Sequence, residues 1–274
     1  MIYTKKEVAN FQDQVFAYLQ TEEKNHVFTI LLNRPEKKNA MNQIMMNEIA
    51  FALSYTHYNN DIWAVVIEAT GDVFCAGLDL KALPGQKQPE TNSTIPIPLS
   101  TVLLGELFTQ MHKPCIAKVD ARVYAGAFLI ICGCTHVVAT DNATFCLPEV
   151  KRGIWPMQVM QSLLNIMPAR KALDLCMLGN TLSSREAYDI GLVTSIVSSD
   201  KLDDEVSGLT RQICSNSPAA IRYGLKAYDE MRAIDHSGTH RFLREMLNEV
   251  LKTEDAKEGI LAFKEKRKPE WTGK

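Results

Sequence analysis

Apolar runs alternate with polar, turn-forming stretches along this chain, and the pattern changes character at about residue 200. Residues 27–32 are apolar and rich in β-formers, and they stop at Asn33, Arg34 and Pro35, which predicts a strand closed by a turn. Residues 41–55 carry apolar positions at helical spacing behind Asn39 or Asn42 as a cap. Residues 62–69 read as a second buried strand, ended by Thr70, Gly71 and Asp72. Strand, helix and strand in that order predict a crossover unit with parallel strands. The pattern then recurs. Residues 84–98 are polar and proline-rich, hence a loop; 99–111 predict a helix and 113–119 a strand. The apolar run 125–132 fits either the start of a helix or a buried strand. Short strands are expected over 136–140 and 143–147. Helices follow over 154–167, 169–178 and 183–190, the last with Ser183 and Glu186 as a capping box, and 192–197 is the last strand. Beyond Asp200 the spacing predicts only amphipathic helices, over 201–215, 218–233, 241–253 and 254–266. The fold class is therefore α/β, with a first part over 1–200 and a helical segment over 201–274.

Composition narrows the function. A chain of 274 residues that is 46% hydrophobic and 23% charged can bury a core without staples. With 30 Lys+Arg against 32 Asp+Glu, it has no overall field to draw in nucleic acid or an anionic membrane. Lys264, Lys266, Arg267 and Lys268 make only one short basic run. No apolar stretch reaches the roughly 18 residues that a membrane span needs. Residues 1–24 mix acids and bases and do not read as a signal peptide, so a cytoplasmic setting is expected and the seven cysteines are expected as thiols. Cys132 and Cys134 would share a strand face with His136, but a metal needs about four ligands, so core thiols and no metal are expected.

The chain has no glycine-rich phosphate loop, no nucleophile elbow and no His-Glu-x-x-His helix, which points to chemistry without a cofactor. Three segments remain. Val73 to Lys81 follows a buried strand, and Gly77 there leaves the Leu78 N–H free to face a cavity. Arg122 to Leu129 has small residues at 125, 126 and 127, and a helix starting there would present the Gly126 N–H at its positive end. Two such N–H groups meeting at one point would form an oxyanion hole. In the third segment Glu149 lies between apolar stretches, which raises a carboxyl pKa and suits a proton-transfer group. Taken singly, these residues fit ordinary turns, and Glu149 fits a cap or an ion pair with Lys151 or Arg152.

Their order changes that reading. Asn33 to Asn42, Phe74 to Leu80, Ala125-Gly126-Ala127, Phe145 to Gly153 and Ala187 to Val193 together resemble the enoyl-CoA hydratase/isomerase (crotonase) family, from about Val27 to the C-terminal Phe263 to Lys268. The resemblance implies a spiral of ββα turns with a helical segment that packs subunits into trimers or dimers of trimers. It implies an acyl-CoA substrate, whose CoA is the only cofactor-like group. It sets the thioester carbonyl between the N–H groups of Leu78 and Gly126 and makes Glu149 the proton-transfer group. CoA would lie along Lys38 to Ala40 and along Cys75, Ala76 and Gly77. Lys37, Lys38 and Lys81 would meet phosphates, or else form a solvated face, and Phe263 and Lys266 would help to close the site.

One departure decides the expected reaction. Two-glutamate hydratases of this family carry a first glutamate where this chain has Leu129. Syn hydration needs one group to activate water and another to deliver a proton, and leucine does neither. The pattern resembles that of Δ3,Δ2-enoyl-CoA isomerases, in which one glutamate moves a proton from C2 to C4 and an apolar Leu129 would keep the pocket dry. The alternatives are a hydratase using Glu149 alone or with Glu106 or Tyr124, and an acyl-CoA binder without chemistry. Residues 84–98 would set acyl-chain length, and Trp155 and Met157 either line the pocket or pack in the core.

Overall fold

The computed structural model describes residues 1–79, 90–234 and 238–274. Its strands are β1 (Leu19–Lys24), β2 (Val27–Leu32), β3 (Ala64–Ala69), β4 (Val73–Cys75), β5 (Cys115–Val119), β6 (Arg122–Tyr124), β7 (His136–Thr140), β8 (Thr144–Cys146), β9 (Thr181–Ser183) and β10 (Ser195–Val197). Helices α1 (Gln43–Tyr58), α2 (Leu104–Met111), α3 (Phe128–Gly133), α4 (Met157–Leu164), α5 (Ala169–Leu178) and α6 (Ser184–Asp189) lie between them. Four more follow: α7 (Leu202–Cys214), α8 (Pro218–Met231), α9 (Thr239–Lys252) and α10 (Glu254–Glu265). The class is α/β, as the spacing predicts.

Two sheets result. One has the order β1-β2-β3-β5-β7-β10, parallel except for the β1–β2 hairpin; the other has the order β4-β6-β8-β9, in which β4, β6 and β8 run parallel. The period-2 geometry of a strand explains why β3 is apolar at successive positions. Val65 and Ile67 face the main core with Phe28, Ile30 and Ala117, whereas Ala64 and Val66 face a second cluster with Ile116, Val138 and the α7 residues Leu202 and Val206. The sheet is thus covered on both faces.

Several expectations need correction. The helix over 99–111 shortens to α2, with Leu99 fully exposed just after Pro98. That over 154–167 shortens to α4, because Pro156 disfavours helix at the residue before it. The ambiguous run 125–132 is helical, a 3-10 turn (Ala125–Ala127) running into α3. Cys132 therefore sits on α3 and Cys134 at its end, so neither shares a strand face with His136; Cys134 Sγ meets Cys115 Sγ at 3.4 Å instead. All seven cysteines are thiols.

The first 24 residues, which the spacing left unassigned, are ordered. Phe11 stacks on Tyr55 at 4.1 Å, and the buried Glu48 carboxylate accepts hydrogen bonds from the N–H groups of Ala17 and Tyr18 and from the Ser93 hydroxyl. Asn25 and His26, at φ 52° and 65°, make the tight β1–β2 turn.

Candidate active site

The second sheet gathers the three segments singled out above. Its strands β4, β6 and β8 are parallel neighbours, so the chain leaves all three at the same edge. Leu78 lies three residues beyond Cys75, Gly126 two beyond Tyr124, and Glu149 three beyond Cys146. Ligands of parallel sheets bind outside the carboxyl ends of the strands.

Local hydrogen bonding aims the first donor. Met41 N–H donates to Gly77 O at 2.8 Å, and Asp79 N–H donates to Met41 O at 2.9 Å. This is a one-residue parallel bridge, and it turns Leu78's own N–H away from Met41. On that far side stands Gly126. A Cβ built on Gly126 would lie 3.5 Å from Leu78 N and 3.7 Å from Leu78 Cγ. Gly77 makes the approach possible: its φ is +85°, and a Cβ on it would come within 2.7 Å of Gly126 N. Gly126 belongs to the first turn ahead of α3, where N–H groups lack intrahelical partners. Among the described residues neither the Leu78 nor the Gly126 N–H donates to another protein group. Three non-glycine residues around this point, Lys38, Asn39 and Ala125, hold φ between 52° and 53°, a strained conformation that persists only where the surroundings enforce it. Two N–H groups so fixed can hold one oxygen that gains negative charge.

Glu149 opens a 3-10 turn (Glu149–Arg152) that Leu147 and Pro148 separate from β8. Its Oε2 is buried without a hydrogen-bond partner, and no ion pair joins it to Lys151 or Arg152 among the described residues. Neither alternative for Glu149, helix cap or surface ion pair, describes it. Burial pushes its carboxyl pKa up, opposed in smaller part by its own backbone N–H and by Arg152. The buried Cys176 of α5 stands near enough to feel the same charge.

A stability prediction follows from the sign of that shift. A carboxyl with a raised native pKa favours folding below its unfolded pKa of about 4.3, and the contribution is lost as pH rises through the native value. Ionised Glu149 therefore costs stability at neutral pH. The group is half-buried, so water screens part of this cost. Glu149→Gln is expected to gain about 1 kcal/mol at about pH 8, or roughly 2–4 °C in Tm. That gain should vanish toward about pH 4, where both forms are neutral. Thermal unfolding of both proteins across this range checks it; a gap independent of pH contradicts the assignment of the shift.

The remaining predicted residues distribute as follows. Leu129 lies in the first turn of α3 and is 8% exposed. It packs toward α2, its Cδ2 being 3.8 Å from where a Cβ on Gly105 would sit. Trp155 is half-buried against the core, with its indole N–H on Met160 Sδ at 3.4 Å, whereas Met157 is exposed. Glu106 is exposed on α2 and Tyr124 ends β6. Lys38 and Ala40 join the site through their backbone: Lys38 O accepts the Ala76 N–H at 3.0 Å, and Ala40 O accepts from Arg34 Nη1 at 2.7 Å. Lys37 is exposed beside them. Lys81 lies outside the described residues. Phe263 is 85% exposed on α10, and Lys266 caps that helix in a left-handed conformation; α10 packs on α8 and α9.

Sequence reasoning missed three residues here. Buried Arg34 and partly buried Asp79 form an ion pair at 2.8 Å. Asn39, weighed as a helix cap, instead staples the loop: its Nδ2 donates to Thr70 O and Val73 O, and its Oδ1 accepts the Arg34 N–H. Asn42 is the actual cap of α1, accepting the Met45 N–H. The available signal was Asp79, the one charge in the otherwise apolar run Phe74 to Leu80, since a charge among apolar residues needs a partner.

A family model described as enoyl-CoA hydratase/isomerase matches residues 22–274. A protein of Dictyostelium discoideum named probable mitochondrial enoyl-CoA hydratase is 30% identical over 262 residues, covering 94% of this chain and 92% of that protein. A mevalonyl-coenzyme A hydratase of Aspergillus fumigatus is 30% identical over 250 residues, covering 90% and 91%. Among solved structures, an enoyl-CoA hydratase of Mycobacterium tuberculosis superposes with a TM-score of 0.82 at 27% identity, over 94% of this chain and 100% of that one. One from Bacillus anthracis gives 0.81 at 25% identity, over 94% and 100%.

Proposed function

The chain belongs to the enoyl-CoA hydratase/isomerase family, whose enzymes act on acyl-CoA thioesters, and on that premise we propose that it is an enoyl-CoA isomerase that moves a double bond between C3 and C2 with a single glutamate. The observation that carries this reading is the pairing of Glu149, with its buried, unpartnered Oε2, and the apolar Leu129.

In the proposed reaction the thioester oxygen accepts hydrogen bonds from the N–H groups of Leu78 and Gly126. The Glu149 carboxylate removes a proton from C2 of a 3-enoyl-CoA. The electron pair of that C–H bond delocalises onto the thioester oxygen as a dienolate, where the two donors stabilise it. Glu149, now protonated, returns the proton at C4, and the double bond comes to rest between C2 and C3. No atom is gained or lost. A raised carboxyl pKa suits both halves of this transfer, because the group must take the proton and give it back near neutral pH. The substrate brings its own CoA, and no further cofactor enters.

Hydration is the second reading, favoured by the names of the relatives. The two part on mass. Purified protein incubated with a 3-enoyl-CoA is expected to yield the 2-enoyl isomer at unchanged mass, and a 2-enoyl-CoA is expected to gain no water. Rapid gain of one water by the 2-enoyl-CoA would replace isomerisation with hydration and make Leu129 uninformative.

Self-association belongs to the same proposal. Leu247, Leu251, Ile260 and Phe263 leave an apolar face open on α9 and α10, which a second and third copy would cover. Sedimentation is expected to find three subunits or six; a monomer at micromolar concentration would remove this part.

A further inference from the structure

Leu78 can serve as an oxyanion donor only if its peptide plane stays put, and the contacts that hold it come from the loop at Arg34 to Met41. Met41 binds the residues on both sides of Leu78. Among the described residues Asp79 is held by its backbone N–H on Met41 O at 2.9 Å and by its carboxylate on Arg34 Nη1 at 2.8 Å. Arg34 is 6% exposed, lies over the Tyr18 ring at 4.9 Å, and donates through the same Nη1 to Ala40 O at 2.7 Å. One guanidinium nitrogen thus ties Ala40, next to Met41, to Asp79, next to Leu78. Fully buried Asn39 fixes the loop from behind, through Thr70 O and Val73 O.

We propose that Arg34 and Asp79 are positioning residues of the reaction: their partly buried ion pair sets the direction of the Leu78 N–H, and so the strength of the oxyanion hole. This rests on the reading that Leu78 donates to a thioester oxygen. Neither residue is assigned a contact with the reacting atoms. A misplacement of about 1 Å at a reacting centre can cost about a hundredfold in rate. An interaction felt only in the transition state lowers kcat and leaves KM alone.

The test uses the full chain with Asp79→Asn, which keeps the side chain's size and one acceptor oxygen but removes the charge. The expected result is a kcat lower by about 10- to 100-fold with KM within about threefold. A second readout removes turnover from the question. In the Glu149→Gln background, infrared difference spectra of a bound 2-enoyl-CoA carrying a 13C label at its thioester carbonyl report how strongly the hole polarises that bond. Adding Asp79→Asn is expected to shrink the downward shift of this band. A merely structural role would lower Tm but leave kcat and the carbonyl band of the folded protein unchanged, and that outcome overturns the inference. Should Asp79→Asn fail to fold, Arg34→Lys replaces it: the charge stays, but the rigid, planar guanidinium whose Nη1 reaches both Ala40 O and Asp79 is lost. The same kcat loss and the same band shift are then expected. If the Glu149→Gln protein binds no acyl-CoA at all, the parent reading falls. If it binds and the band ignores the Arg34–Asp79 pair, only this inference falls.

Discussion

Glu149→Gln is expected to lower turnover of an enoyl-CoA by about a thousandfold, within the range that positioned acid–base groups contribute, while leaving acyl-CoA binding within a few-fold. The asymmetry follows from what the side chain touches. Its Oε2 has no protein partner to lose, so the amide breaks no hydrogen bond of the fold. What disappears is the ability to take a proton from C2 and hand it back. Leu129, which the family resemblance sets at the place of the hydratases' first glutamate, is an apolar side chain packed toward α2. Steady-state kinetics and calorimetric titration with an acyl-CoA separate the two quantities. Turnover within tenfold of the parent would remove Glu149 from the mechanism.

The second large effect is expected from a single methyl group. Gly126→Ala should leave the fold intact and suppress turnover by about a hundred- to a thousandfold, the usual cost of losing one oxyanion donor. The new Cβ would sit 3.5 Å from Leu78 N, 3.6 Å from Gly77 Cα and 3.7 Å from Leu78 Cγ, all ordinary contacts, so packing accepts it. It would nevertheless occupy the space between the two N–H groups that the thioester oxygen needs. Gly77→Ala is the contrasting change. Its Cβ would meet Gly126 N at 2.7 Å on a backbone at φ +85°, so it should lower stability and activity together. Thermal unfolding beside kinetics checks the pair. An active Gly126→Ala enzyme would mean that the carbonyl lies elsewhere.

How far the chain could be read from its residues depended on the length of each element. The apolar periods over β2, α1 and β3 are long, and they emerge at nearly their predicted bounds; so do α7 to α10. Strands β4, β6 and β9 have three residues each, too few to show a period, and they exist only because they pair with one another and with β8. The N-terminal segment escaped for another reason. Its order comes from Phe11 on Tyr55 and from Glu48 gathering two backbone N–H groups, contacts distant in sequence. The candidate hole is subtler still. Its donors are backbone groups, and no side chain announces a backbone N–H. Gly77 and Gly126 look like any glycine beyond a strand until β4 and β6 are laid side by side. Family resemblance supplied that juxtaposition before the fold did. It did not supply Arg34 and Asp79, whose meaning lies in a loop-to-loop contact rather than in either motif.

Proton exchange tests, apart from the final product, whether Glu149 makes an enolate at a thioester held by Leu78 and Gly126. A 3-enoyl-CoA would be incubated in D2O with the parent protein and with Glu149→Gln, and deuterium at C2 and C4 of recovered substrate and product would be read by mass spectrometry and NMR. The parent protein is expected to break the C2–H bond, move the double bond and carry hydrogen to C4, with Glu149→Gln doing none of these above the uncatalysed rate. Equal C2–H cleavage by both proteins, or none by either while acyl-CoA binds, would contradict that role of Glu149.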